Sequence, residues 1–401
     1  MTKLDRLYGS ERRAAAALAS IFFLRMLGLF ILLPVLALYA NRLVDATPLL
    51  IGAAIGIYGL TQAALQIPLG RWSDRIGRKP VIAVGLLVFS AGGVLAALGG
   101  HIAVIIAGRA LQGAGAISGA TLALAADLTR PQQRTKVMAI IGISIGMSFS
   151  AAFILGPIID ARLGLAGLFL VAAGLGLAAQ PILWFCVPDP IPGSNVTDEP
   201  AVHSARRAAP ELRAMYVGIF CLHAILAASF VSIPLHLVAA VGIASGQHYT
   251  IYIPVLFLSL LCVGPMIMAS QRRELSVGLF RLAIACVGAA ELLLSRTPTE
   301  PIVTGVALTL FFIGFNFLEA SLPSMVAYAA PTSGRGGALG TYATAQFMGM
   351  FAGGLGGGAL SGALGYPSVF VAAAVVTCVW LVHTVVVPVG PTRASEDVHK
   401  R

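Results

Sequence analysis

Apolar runs of about twenty residues or more recur from one end of this 401-residue chain to the other. Each is long enough for a helix to cross the hydrocarbon core of a bilayer. No water satisfies backbone N–H and C=O groups there, so only helices and closed barrels can span it. The runs lack the apolar–polar alternation of barrel strands, and an all-α membrane protein is therefore expected. Composition agrees. The chain is 58% hydrophobic and 10% charged, with mean hydropathy +0.91, whereas soluble domains carry roughly 25% charged residues. So little charge cannot cover a water-facing surface of this size.

Reading the runs between polar breaks predicts twelve helices, at 14–40, 48–69, 79–99, 101–127, 135–159, 165–187, 214–241, 248–270, 276–296, 302–329, 336–363 and 367–388. Of the 26 Lys and Arg, 21 fall at the two termini and in the loops that share their side, three (Arg42, Arg162, Arg296) in the opposite loops, and two (Arg25, Arg109) inside helices. This asymmetry predicts that both termini are cytoplasmic. It also accounts for the net charge of +10 without a nucleic-acid partner. The five cysteines, Cys186, Cys221, Cys262, Cys286 and Cys378, are scattered singly through apolar runs. They predict buried small apolar residues, with no disulfide and no metal site. No cleavable signal peptide is expected, because the run after Arg13 is too long for one.

The most hydrophilic stretch, 188–213, falls at the midpoint and reads as a cytoplasmic linker. It divides the chain into an N-terminal six-helix bundle (1–187) and a C-terminal one with a short tail (214–401). Its Asn195-Val196-Thr197 matches a glycosylation sequon by chance if the loop is cytoplasmic. The halves echo each other. Phe30 to Ala40, with Pro34, stands 200 residues before Phe230 to Ala240, with Pro234; Pro131 and Arg134 foreshadow Pro331 and Arg335. Repeated halves are the mark of transporters that hold substrate at the repeat interface.

Between the second and third predicted helices stands Gly70-Arg-Trp-Ser-Asp74-Arg75-Ile-Gly77-Arg78-Lys79-Pro80. This resembles the signature loop of the major facilitator superfamily, G-x-x-x-D-R-x-G-R-K/R. Arg109-Ala-Leu-Gln112-Gly113-Ala-Gly115 is similar to the family's fourth-helix motif. Gly142, Gly146, Gly156 and Pro157 partly match its fifth-helix antiporter motif, which departs where the family has Gly-Gly and this chain has Ile159-Asp160. Together with Arg25 to Gly28, Ile57 to Gln62 and Asn316 to Glu319, the chain resembles the YajR-type branch of bacterial proton-driven drug exporters. Only residues 389–401 follow Pro388, so the extra C-terminal soluble domain of YajR is expected to be missing. The resemblance implies a multi-pass inner-membrane transporter whose Asp74 caps the start of the eleventh helix and whose Arg78 bridges to Asp127, as a latch on the cytoplasmic side. The alternative role for these charges is topology control alone.

Glu319 lies deep in the tenth predicted helix. An intramembrane carboxylate costs about 2.5–3.5 kcal/mol even on the lenient insertion scale, so it must face a cavity, be paired or be protonated. Asn316 precedes it by one turn, and Pro323 cannot donate to its carbonyl. Glu319 is the candidate proton carrier; a structural buried carboxylate is the alternative. Arg109 is the matching cation, linked by the resemblance to proton transfer or substrate binding, with helix pinning as its other role. Arg25 is similar, with a cavity or gating role. Tyr58, Gln62 and Gln66 form a polar stripe with four-residue spacing, expected to face a pore or to bond neighbouring helices. Gln112 and Gln346 are comparable candidates for the substrate cavity. Glu291, near the outer end of the ninth helix, is expected to snorkel to water and do little. The Gly353–Gly358 cluster lacks the Lys-Ser/Thr of a phosphate loop and predicts close helix packing.

No Walker motif, catalytic triad or metal cluster is seen, which argues against an enzyme and against any cofactor. The expected function is export of small amphipathic organic molecules in exchange for protons, by a chain working as a monomer. Its only tryptophans, Trp72, Trp184 and Trp380, fall near predicted membrane boundaries, which disfavours a sugar site. Proton symport of a nutrient is the alternative; a non-transporting membrane sensor is a remoter one.

Overall fold

The structure, a computed structural model, describes residues 7–39, 42–189, 210–270, 272–330 and 335–387. Most of the predicted linker (190–209), Pro331 and the tail 388–401 lie outside the described residues. Apart from one isolated bridge between Val44 and His101, every regular element among the described residues is helical. The α-helices are α1 (Gly9–Phe30), α2 (Pro48–Ile76), α3 (Arg78–Ala97), α4 (Ile102–Ala114), α5 (Ser118–Asp127), α6 (Arg134–Pro181), α7 (Pro210–Ala239), α8 (Tyr249–Ser270), α9 (Arg273–Ser295), α10 (Pro301–Ala329), α11 (Arg335–Leu364) and α12 (Pro367–Val386). Among the described residues eleven stretches are long and apolar enough to cross a membrane. One joins α4 and α5, and another covers the 51 residues 136–186.

Local chemistry explains where these differ from the apolar runs. The first helix ends at Phe30 instead of continuing to 40, and a 3-10 turn follows at Leu36–Tyr39. Pro34 has no N–H to continue the ladder and its ring clashes with the carbonyl one turn back. The equivalent Pro234 sits inside a continuous α7, so tertiary context decides what the same proline does. The 51-residue stretch, straight, would reach about 75 Å against a core of ~30 Å. Its backbone leaves helical geometry at Gly164 (φ 64°, ψ −171°).

The sharpest turn joins α2 to α3. Thr47 caps the start of α2 by accepting from Leu50 N (3.2 Å), with Pro48 in the first turn. At the far end Gly77 adopts φ 101°, ψ 150°, a region only glycine visits freely. Gly77→Ala is expected to cost about 1–3 kcal/mol, read as a lowered apparent Tm of the detergent-purified protein. An unchanged Tm would show that the turn relaxes without strain.

The chain divides into two compact units, residues 1–196 with 244–249, and 197–243 with 250–401. The two share three helix pairings. In the first, α1 packs most extensively on α6, α3 packs on α4, and α3 also meets α6. In the second, α7 packs on α11, α9 on α10, and α9 also meets α12. The weak sequence echo is thus an echo of helix pairing. In the second unit the α7–α11 contact is a glycine seam. A Cβ on Gly349 or Gly353 would overlap the carbonyl of Phe220 or Ala224, and one on Gly357 would come 2.8 Å from Ala228 Cα. Four-residue spacing puts these three on one face, and small residues let the backbones meet where the hydrophobic effect gives no attraction between helices.

Several surface expectations change. Cys186, Cys262 and Cys378 are exposed and Cys221 and Cys286 half-buried, although all five are free thiols. Apolar side chains face outward in a bilayer, so hydrophobicity did not imply burial here. Trp72 and Trp184 lie at the surface, whereas Trp380 is buried, 3.2 Å from where a Cβ of Gly218 would stand. Arg281 lies within α9, and its Nη2 donates to Thr384 O at the end of α12 (2.8 Å), where a cation meets unpaired carbonyls.

Candidate functional site

Three groups of predicted residues come together, each inside one unit. The first is the polar centre of unit 1. Arg25 on α1 is fully buried and donates from Nη2 to Gln62 Oε1 (2.7 Å) and Gly115 O (3.1 Å), and from Nη1 to Ser118 Oγ (3.3 Å). Its guanidinium lies 5.9 Å from the Phe89 ring centroid. Arg109 on α4, equally buried, donates to Gln112 Oε1 (3.0 Å) and Ala54 O (3.3 Å) and stands 5.0 Å over the Tyr58 ring. Neither arginine makes an ion pair among the described residues; amide and carbonyl oxygens and aromatic faces carry the positive charge. The stripe of Tyr58, Gln62 and Gln66 is buried within this bundle. Gln62 bonds Arg25 and Ser118.

The glycines of this region have a packing reason. Gly113 lies against the Tyr58 carbonyl and Thr61 hydroxyl of α2, and Gly115 against the Gly85 carbonyl of α3, with no room for a Cβ at either. The helix is interrupted at 115–117, where Arg25 takes the Gly115 carbonyl released from the ladder. Of the α6 motif, Gly156 would place a Cβ 2.6 Å from Ile31 O, and Pro157 is buried. Gly142 and Gly146 are exposed with open space around them.

The second group surrounds the α2–α3 turn. Arg78 pairs with Asp74, reaches Asp127 Oδ2 on α5 (3.2 Å) and donates to Ser73 Oγ (2.8 Å). Ser73 in turn donates to Gly70 O (2.6 Å). Lys79 is buried and donates to Val187 O (2.7 Å) and Asp189 Oδ1 (2.6 Å). Arg75 is exposed. Beside them is a cluster that sequence reasoning missed. Glu11 of α1, 3% exposed, receives Arg130 Nε (2.8 Å), Nη2 (2.9 Å) and backbone N (3.1 Å). Arg130 stacks 3.6 Å from the Tyr8 ring centroid. Donating to Glu11 raises the pKa of the Arg130 guanidinium above its ordinary value. A bidentate pair between residues 119 apart carries no local spacing, so no motif could announce it.

The third group lies in unit 2. Gln346 of α11 donates from Nε2 to Glu319 Oε1 of α10 (3.1 Å) and stands 2.9 Å from His223 Nε2 of α7. His223 Nε2 is 3.7 Å from Glu319 Oε2. With both amide hydrogens donated, Gln346 makes Nε2 of His223 an acceptor and leaves the ring proton on Nδ1. His223 is 3% exposed; the Glu319 side chain is 31% exposed. Glu319 Oε2 and the Tyr342 hydroxyl are buried and make no hydrogen bond among the described residues. Such a carboxyl, part-exposed and beside an imidazole, can take up and release a proton. Asn316 turns instead to Ser259 of α8 (Nδ2 to Oγ, 3.4 Å). His223 was missed, although a histidine in an apolar run is as telling as an acid.

Glu291 corrects the expectation that it snorkels to water. It is fully buried, and its Oε1 accepts from Ser229 Oγ of α7 (2.6 Å). Proximity to a helix end in sequence did not show which face it occupies.

Comparison with known proteins agrees on one family. Residues 18–347 match the sequence pattern of the Major Facilitator Superfamily. The chain is 42% identical over 376 residues to the Escherichia coli (strain K12) inner membrane transport protein YajR, covering 92% of this chain and 82% of that one. Over 142 residues it is 32% identical to Multidrug resistance protein 2 of Bacillus subtilis (strain 168), covering 35% of this chain and 34% of the relative. Among solved structures, a bacterial homolog of the human lysosomal transporter Spinster superimposes with TM-score 0.77 at 13% identity, over 95% of this chain and 97% of that one.

Proposed function

Because the chain belongs to the Major Facilitator Superfamily and is a multi-pass membrane transporter, we propose that it exports small amphipathic organic compounds in exchange for protons, by alternating access. Counting the two arms of α6 separately about Gly164, and α4 with α5 as one, supports twelve spans in two halves of six. The excess of Lys and Arg on one side supports cytoplasmic termini. The observation that carries proton coupling is the cluster of Glu319, Gln346 and His223, a half-buried acid with one committed oxygen and one free. Intramembrane acids are expensive and are kept for function. The likeness to Multidrug resistance protein 2 of Bacillus subtilis supports organic compounds as the cargo, and the mostly apolar helix faces with scattered amides fit a permissive pocket.

The test is proton flux in proteoliposomes carrying an internal pH-sensitive dye, challenged with a panel of hydrophobic cations and neutral compounds. Solute-linked movement of protons is expected for at least one class. No solute-linked pH change across the panel would remove proton exchange and leave only membership of the family.

We further propose that the α2–α3 turn acts as a latch through Asp74, Arg78 and Asp127, with Gly70, Arg75, Gly77 and Lys79 shaping it. Broken and remade pairs can bias a conformational equilibrium. Asp74→Asn is expected to leave the protein inserted and folded while lowering the transport rate severalfold in the same liposomes. Wild-type rates in that variant would reduce these charges to topology signals.

A further inference from the structure

A second buried acid lies in unit 2, away from the Glu319 cluster. Glu291 of α9 is fully buried and makes no ion pair among the described residues. Its Oε1 accepts from Ser229 Oγ (2.6 Å), and its Oε2 has no partner. An ionised carboxylate in that setting would hold a full charge against one hydroxyl. A neutral carboxyl is both donor and acceptor and suits it. Ser229 is not alone on its face of α7. Ser232 and His236 follow at three and seven residues, on the same side of the helix, and both are fully buried. His236 Nε2 stands 3.2 Å from Thr304 Oγ1 of α10, which is 3.5 Å from Pro298 O in the 296–300 loop. Ser232 Oγ and His236 Nδ1 are, like Glu291 Oε2, buried without partners. Three orphaned polar atoms along one face are costly unless something bonds them.

We propose that Glu291 is a second proton-binding site, reached from the 296–300 loop along the row Thr304, His236, Ser232 and Ser229. Hydroxyls and imidazole can each accept a proton on one side and donate on the other, so with water bridging its unbonded atoms the row carries a proton without carrying fixed charge. Among the described residues no ion pair involves Glu291, Ser232 or His236. His236 packs on Tyr366 (6.2 Å) and Phe370 (6.1 Å) of the α12 end. The faces of α10 and α12 buried here present Thr304, Leu308, Phe311, Ala373 and Thr377. His236 and Tyr366 are titratable groups at this level. The row stops short of His223, which stands six residues before Ser229, about 9 Å along the axis. Phe230, Phe311 and Phe315 form an aromatic chain from this level to His223, with successive centroids 6.4, 6.0 and 5.8 Å apart. The site deepens the proton reading, but its evidence rests on atoms that the Glu319 cluster does not use.

Infrared difference spectra of the full-length protein in lipid, between acid and alkaline buffer and after transfer to D2O, test it. The protonated-carboxyl carbonyl band should lose one component in Glu291→Gln and keep it in Glu319→Gln. Glu291→Asp, which retains an acid, should shift that component, and it serves if the Gln variant fails to fold. Deuterium exchange of the component should slow severalfold in Ser232→Val and in His236→Phe. A band unchanged in both Glu291 variants overturns the site, and exchange at the wild-type rate in both row variants overturns the route. Loss of transport coupling in Glu319→Gln, together with a band unchanged in both Glu291 variants, would remove this proposal and leave the proposed function standing.

Discussion

Replacing Glu319 by Gln is expected to reduce pH-gradient-driven solute movement in proteoliposomes to the level of protein-free vesicles, with the protein still folded. The amide keeps the size of the side chain and an oxygen to accept from Gln346, which now donates to Oε1 at 3.1 Å. What disappears is the exchangeable proton. Solute counterflow, which needs no net proton movement, should persist in the same vesicles; that separates lost coupling from a lost binding site. Glu319→Asp, one methylene shorter, should retain part of the coupling. Full gradient-driven transport by Glu319→Gln would end the assignment of Glu319 as the proton carrier.

Gly353→Leu is expected to have the largest effect on folding. A Cβ at this position already overlaps the Ala224 carbonyl of α7, and a backbone atom cannot rotate away as a side chain can. Overpacking costs typically 1–3 kcal/mol, or about the upper end here, because α7 and α11 would have to separate along the whole seam from Gly349 to Gly357. Gly356, three residues on, faces open space, so Gly356→Leu is the matched control. Thermal unfolding and size-exclusion profiles in detergent should show Gly353→Leu aggregated or strongly destabilised, and Gly356→Leu close to wild type. Equal behaviour of the two would refute the seam. The same lesion should misplace Gln346, which α11 carries toward Glu319.

Much of the architecture was legible because lipid imposes a simple rule on sequence. A spanning helix must be apolar over a fixed length, so the helices after the linker appear within a few residues of the apolar runs. The rule weakens where backbone geometry intervenes. Pro34 ends a helix that hydropathy continues, Gly115 interrupts one that hydropathy runs straight through, and Gly164 bends a stretch whose apolarity never falters. The signature loop was readable residue by residue, since Gly77 marks a turn that needs positive φ. The polar stripe of α2 was readable as a stripe but not as to direction. Periodicity says which residues share a face; only the packed neighbours say what that face meets, here Arg25 and Arg109.

The amino-acid sequence by itself determined that this protein lies in a membrane as paired helical halves of a known transporter family, because hydropathy, charge asymmetry and a local motif are all written in consecutive residues. The tertiary structure alone decided which polar groups meet. Glu319 finds His223 through Gln346, Glu11 finds Arg130, and Glu291 is enclosed at the level of Ser229. Those partners come from helices far apart in the chain, and a charge's chemistry depends on what surrounds it in space, which no local pattern encodes.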